Sequence, residues 1–153
     1  MTSGAALAVD IVIDNYNYAR YLPAAIDSAC AQTHEQVTVT VVDDGSSDDS
    51  RQVLSAYEDR VAVVLKENGG QASALNLGAE RCRGDIVMFL DADDVLRPEA
   101  AAEVAAAFAA DPAAVKVQFR MDVIDAEGRP TGEIKPPDHV PMPDGDVRLA
   151  ELS

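Results

Sequence analysis

The sequence predicts an α/β fold, a doubly wound and mainly parallel sheet with helices on both faces. Three observations predict it. Short β-branched runs alternate four times with stretches whose apolar residues recur every three to four positions, the order that builds parallel sheets. The fourth run, Ile86-Val87-Met88-Phe89-Leu90, is continuously apolar, which predicts a central strand buried on both faces. Each run also ends in a polar or turn-forming cluster. The unusual chemistry therefore falls at the carboxyl ends of the strands, where open α/β sheets bind ligands.

In order along the chain, residues 1–7 are predicted to be a loose N-terminus and Val9 to Ile13 the first strand. Asp14-Asn15-Tyr16-Asn17-Tyr18 then forms a turn with two aromatic rings. Tyr18, Leu22, Ile26 and Ala29 keep helical spacing, with Pro23 acceptable in the first turn. Val37 to Val42 is the second strand, ended by Asp43-Asp44-Gly45-Ser46-Ser47. Asp48 and Asp49 suit the first turn of a helix whose inner face is Val53, Leu54 and Tyr57. Val61 to Leu65 is the third strand, and Asn68-Gly69-Gly70 leads into a helix striped by Ala72, Leu75, Ala79 and Cys82. Pro98 opens an alanine-rich helix that Asp111-Pro112 ends. Val115 to Met121 reads as a strand, and Val123-Ile124-Asp125 as part of a hairpin with Glu127-Gly128 near its turn. One domain over residues 8–135 is expected, with a proline-rich tail from 136 to 153.

Composition narrows the function. A chain of 153 residues that is 48% hydrophobic buries a real core and is not disordered. A formal net charge of −15 argues against nucleic acid as a partner, and an anionic ligand would need help from a metal or a helix N-terminus. No apolar run reaches the length of a membrane span and no signal peptide is read before Val9, so a cytoplasmic location is expected. Cys30 and Cys82 are isolated and read as reduced thiols.

The fourth strand ends in Asp91-Ala92-Asp93-Asp94. If the chain stays extended, Asp91 and Asp93 point the same way, and a turn would re-aim them. Carboxylates this close repel unless a cation lies between them, and an all-oxygen set suits Mg²⁺ or Mn²⁺. Tyr16 can stack on a nucleobase. Asp43 and Asp44 are placed to accept from a base imide or a ribose hydroxyl, or simply to begin a helix. Gly69 and Gly70 leave backbone N–H groups free for a phosphate or sugar, although a helix entry explains them equally well. Asn76, mid-helix among apolar residues, has a packing or capping reading. Lys66 and Arg97 read as exposed cations without a specific role, and His34 and His139 are assigned none.

Ile11-Val12-Ile13-Asp14-Asn15-Tyr16-Asn17-Tyr18, Val41-Val42-Asp43-Asp44-Gly45-Ser46-Ser47-Asp48, Asn68-Gly69-Gly70 with Asn76-Leu77-Gly78, and Phe89-Leu90-Asp91-Ala92-Asp93-Asp94 resemble family 2 glycosyltransferases of the GT-A fold. The resemblance is ordered and runs from about residue 8 to about 125. It implies an inverting transferase with a nucleotide-diphospho-sugar donor, a UDP-sugar favoured, a divalent metal, and a carbohydrate, lipid or other small acceptor. The implied nucleotide-binding set is Asp14, Tyr16, Asp43, Asp44, Asn68, Gly70, Asn76 and Asp91. Asp91 and Asp93 are the implied metal residues, Asp93 the direct ligand. Asp14 departs from the proline or threonine common in the family.

The family's acceptor-side half, with its general base, normally follows the hairpin. Neither a later Glu-Asp pair nor a Gln-x-x-Arg-Trp appears, so truncation on the acceptor side is expected, the catalytic base is unassigned, and the alternative is a weak or inactive nucleotide-sugar-binding module. Uncovered apolar surface then predicts marginal stability or self-association. A haloacid-dehalogenase-type phosphatase also has Asp-x-Asp after an apolar strand, but there the motif opens its domain. A dinucleotide-binding dehydrogenase is excluded because no Gly-x-Gly-x-x-Gly follows the first strand.

Overall fold

A computed structural model describes residues 6–140. Its elements run β1 (Val9–Asn15), α1 (Leu22–Cys30), β2 (Val37–Asp43), α2 (Ser50–Ser55), β3 (Ala62–Leu65), α3 (Gln71–Arg81), β4 (Ile86–Asp91), α4 (Ala100–Ala110), β5 (Met121–Ile124) and β6 (Pro130–Lys135). The expected domain is divided near residue 113: the chain forms two compact units, Met1–Ala113 and Ala114–Ser153.

The first unit holds a four-stranded sheet in the order β3-β2-β1-β4, with every pair parallel. The chain steps outward from β1 to β2 and β3, then returns to lay β4 on the other side of β1. That reversal opens a crevice at the carboxyl ends of β1 and β4, the topological switch point at which doubly wound sheets receive ligands.

β1 is the hub. Hydrogen-bonded on both sides and covered on both faces, it buries Val9, Ile11, Val12 and Ile13 almost completely. Alternation sends Val12 to one face with Val42 and Val64, against Ala74 of α3, and leaves Ile11, Ile13 and Val41 on the other, where α1 packs with Leu22, Ala25, Ile26 and Ala29. α3 lies very close: a Cβ built on Gly78 would stand 2.3 Å from Val12 Cγ1. The buried line of α3 is thus Ala74 and Gly78 rather than the predicted stripe, of which Leu75, Ala79 and Cys82 are half-buried and Ala72 is exposed.

β4 corrects a second expectation. It is not central; β1 is its one partner among the described residues. Its side chains alternate strictly, Ile86, Met88 and Leu90 buried while Val87 and Phe89 are 37% and 51% exposed. An unbroken apolar run does not distinguish an edge strand with an uncovered apolar face from a strand buried on both. α1 begins at Leu22 rather than near Tyr18, whose carbonyl instead accepts from the Tyr21 and Leu22 amides in the preceding turn. The expected loose N-terminus is tied down where it is described: His34 Nε2 donates to the Leu7 carbonyl at 2.7 Å, and the Ala8 amide donates to Asp85 at 2.8 Å.

In the second unit β5 and β6 pair antiparallel around Gly128 (φ +78°), as the hairpin expectation had it. The predicted strand 115–121 forms only from Met121. Residues 115–120 carry the alternating pattern but find no ladder partner among the described residues. Pro136, Pro137 and Val140, at the start of the proline-rich stretch, present their carbonyls to the Arg120 guanidinium at 2.5, 2.7 and 2.9 Å. Asp144 and Asp146 lie outside the described residues. No helix among the described residues is long and apolar enough to cross a membrane.

Glycine-to-alanine changes inside helices ordinarily stabilise by up to about 1 kcal/mol. Gly78→Ala is expected to do the opposite, lowering stability by about 1–3 kcal/mol through overpacking against Val12. Urea denaturation of the two proteins checks the sign.

Candidate functional site

Four loops meet at the carboxyl ends of the strands, and each is fastened to another. Loops one and two interlock. Asn15 Nδ2 donates to Asp43 Oδ2 at 2.9 Å and to Ser46 Oγ at 3.2 Å. Asn17, held at φ 60°, accepts on Oδ1 from the Ser47 and Asp48 amides at 2.8 and 3.2 Å, and its own amide donates to Ser46 Oγ at 2.9 Å. Asp48 accepts from the Ala19 and Ser50 amides, each at 3.0 Å. Burial alone would raise the Asp48 carboxyl, but these hydrogen bonds to its charged form prevail and hold it below its ordinary range.

Loops two and three are joined by Asp44, which is 2% exposed. Its Oδ1 accepts from Lys66 Nζ and from the Gly69 amide at 2.9 Å, and its Oδ2 from the Gly70 amide at 2.8 Å. Asn68 Nδ2 closes the join on the Asp44 carbonyl at 3.0 Å. Here too burial pushes the carboxyl up, and the Lys66 and glycine donors outweigh it, so the group titrates below its usual range. Gly45 (φ +77°) permits the close approach, since a Cβ there would meet the Asn68 nitrogen at 2.7 Å.

Two expectations change. The Gly69 and Gly70 amides are engaged by Asp44 rather than left free for a ligand, and Lys66 has a specific role as the counter-ion of a buried carboxylate. Register explains why the sequence hid this: Leu65 lies opposite Asp43, so the next residues, Lys66 and Asp44, fall side by side. Asp43, fully buried, accepts from Asn15, from the Ser46 amide at 3.0 Å, and lies 3.6 Å from Arg51 Nε. Asp43 and Asp44 are thus each held by hydrogen bonds from their own and neighbouring loops. Tyr16 (49% exposed), Asn68, Gly70, Asn76, Asp91 and Asp93 face solvent.

Loops one and four meet at the switch point. Asp14 on β1 and Asp91 on β4 are register partners, so two carboxylates stand abreast. Burial, then the Asp91 charge, raises the Asp14 carboxyl to about 6, and its Oδ1 is buried without a hydrogen-bond partner. Asp94 is raised by burial and by the charges of Asp93 and Asp91. Gln71, the first residue of α3, donates Nε2 to Asp91 Oδ1 at 3.1 Å, a contact the sequence did not single out. The chain does not stay extended past Asp91. The Asp94 amide bonds the Asp91 carbonyl at 3.0 Å, so a turn separates the directions of Asp91 and Asp93.

Beyond that turn the loop is strapped to α1. The Leu96 amide donates to Ser28 Oγ at 3.0 Å, Gln32 Nε2 to the Arg97 carbonyl at 2.9 Å, and the Thr33 amide to the Pro98 carbonyl at 2.8 Å. Gln32 Oε1 accepts from the Ala101 amide at 2.8 Å and so caps α4.

An all-oxygen donor set with an unpartnered buried oxygen fits a hard divalent cation. No three Asp, Glu, His or Cys side chains among the described residues are gathered to hold one unaided, so remaining oxygens would come from ligand or water. An open hollow of about 810 Å³ lies at the other end of the sheet around His34, Val37 and Arg60, away from these carboxylates. Chemistry rather than size locates the site.

The fold is that of GT-A glycosyltransferases. It superposes with a TM-score of 0.61 on Staphylococcus aureus TarS 1–349 in complex with UDP-GlcNAc, at 24% identity over 68% of this chain and 32% of that one. A mannosyltransferase from Pyrobaculum calidifontis, in complex with GDP-Man and Mn²⁺, gives 0.59 at 26% identity over 69% of this chain and 33% of its own. The sequence matches the description "Glycosyl transferase family 2" over residues 10–147, and the chain belongs to that family. An uncharacterised glycosyltransferase of Nostoc sp. is 38% identical over 127 residues, 80% of this chain and 39% of the relative. An undecaprenyl-phosphate 4-deoxy-4-formamido-L-arabinose transferase of Pseudomonas fluorescens is 42% identical over 99 residues, 60% of this chain and 29% of the relative. The match thus spans well under half the length of either relative.

Two expected outcomes follow from the electrostatics. Asp44→Ala strands the Lys66 charge, whose side chain is 17% exposed, and should lower stability by about 3–5 kcal/mol in chemical denaturation. Asp14 is raised when folded, so its contribution to stability is full below its unfolded value of 3.8 and lost as pH rises through about 6. In chelator, wild type should match Asp14→Asn near pH 4 and fall below it by about 1 kcal/mol at pH 8, after allowance for partial exposure. Thermal midpoints across that range read the difference.

Proposed function

We propose that the chain is the donor-binding part of an inverting glycosyltransferase that takes a nucleotide-diphospho-sugar, a UDP-sugar by preference, with Mn²⁺ or Mg²⁺. The observation that carries this reading is the switch point, where Asp14 and Asp91 stand abreast, Asp93 and Asp94 follow in the next turn, and the loop after β1 carries the exposed ring of Tyr16. The liganded neighbours support it, as does the nearly full-length family match.

In this reading Tyr16 stacks on the base, and Asp43 and Asp44 hold the loops that frame it. Asn68, Gly70 and Asn76 line the exposed rim. Asp91 and Asp93 would hold the cation, with its remaining oxygens coming from ligand or water, the sparse protein coordination usual for Mg²⁺. When bound, the cation stabilises negative charge on the departing diphosphate. An acceptor hydroxyl would attack the anomeric carbon as the bond from that carbon to the diphosphate oxygen breaks, its proton passing to a general base, and the centre would invert. No described residue is assigned as the general base.

Calorimetry with UDP tests the reading. Binding should need Mn²⁺ or Mg²⁺ and vanish in chelator. Asp93→Asn should weaken it by more than the roughly 10–100-fold that loss of a ligand's hydrogen-bond partner costs. Equal binding with and without metal, or none by a folded sample, would sink the metal-bridged reading.

A further inference from the structure

We infer that Gln71 is a positioning residue for the donor site, holding the Asp91 carboxylate in the orientation from which it meets the metal–diphosphate. The inference rests on the reading above. Asp91 is exposed at the end of β4, whose one described partner is β1, and a turn follows it at once. Gln71 Nε2 reaches Asp91 Oδ1 from α3 at 3.1 Å, and the same side chain is a hydrogen-bond partner of Asp14, which stands abreast of Asp91 on β1.

Gln71 is itself placed by the loop before it. Gly70 caps α3 at φ 86° and ψ 163°, a conformation that glycine adopts without strain, and the Gly69 and Gly70 amides are pinned by Asp44. A Cβ on Gly70 would meet nothing within 4 Å, so the glycine serves backbone direction and not space. One continuous set of hydrogen bonds therefore runs from the second loop through the third to the fourth. A neutral amide suits this position, because it donates to a carboxylate without adding a charge that would compete with a cation. The bond is made to Oδ1 of Asp91, whose carboxylate stands beside that of Asp14.

Hydrogen-bond partners of metal-site carboxylates typically contribute 10–100-fold to affinity. Gln71→Ala and Gln71→Met, the second keeping length and helix propensity while removing the donor, should each weaken Mn²⁺-supported UDP binding about tenfold. Both should leave the affinity for uridine alone unchanged, since the nucleoside carries no phosphate and reports the Tyr16 side. A general loosening of the fold would move both ligands together. Unaltered Mn²⁺-supported UDP binding in both variants would overturn the inference, as would a Gln71→Met protein that behaves as wild type, or parallel loss of uridine. Failure of wild type itself to bind UDP with Mn²⁺ would overturn the donor-site reading instead, and this inference with it.

Discussion

A single buried carboxylate holds the loop end of this domain together. Asp44 receives one ammonium and two backbone amides, and those partners belong to the stretch that starts α3. Burying a charge is unfavourable unless it is paired and its oxygens are satisfied, and here both conditions are met by the same three donors. The direction of α3, the close seating of Gly78 on Val12, and the reach of Gln71 to Asp91 all depend on where that helix begins.

The sheet supplies the complementary constraint. Because β1 is flanked by β2 and β4, its last residues serve two neighbours: Asn15 bonds toward the second loop at Asp43, and Asp14 stands abreast of Asp91 in the fourth. One strand end is thus shared between a hydrogen-bonded side and a repulsive, carboxylate-rich side. The repulsion on the second side is the kind that a bound cation relieves.

Much of this was legible in the residues. Four apolar runs with polar ends specified the sheet and its parallel sense, and the spacing of the Asp-Asn-Tyr-Asn, Asp-Asp-Gly-Ser and Asp-Ala-Asp-Asp clusters specified the family. Strand order was not legible, because an apolar run such as 86–90 reads the same at an edge as at the centre. Pairings that depend on register were hidden too: Lys66 with Asp44, and Gln71 with Asp91, lie 22 and 20 residues apart. The pattern in 115–120 misled because alternation gives a strand its faces but not its partner.

The strap between the fourth loop and α1 has a mechanical consequence. From Asp91, at the end of β4, to Leu96, hydrogen-bonded to Ser28, the chain is a short span anchored at both ends and drawn in further by the Asp91–Asp94 turn. Such a span has no slack with which to swing as a lid. On the proposed reading, Asp93 would meet a cation chiefly by rotating its own side chain, with little backbone order left to lose. If the site takes the proposed donor, any larger closure over it would come from another part of the molecule, with this corner as the fixed jaw.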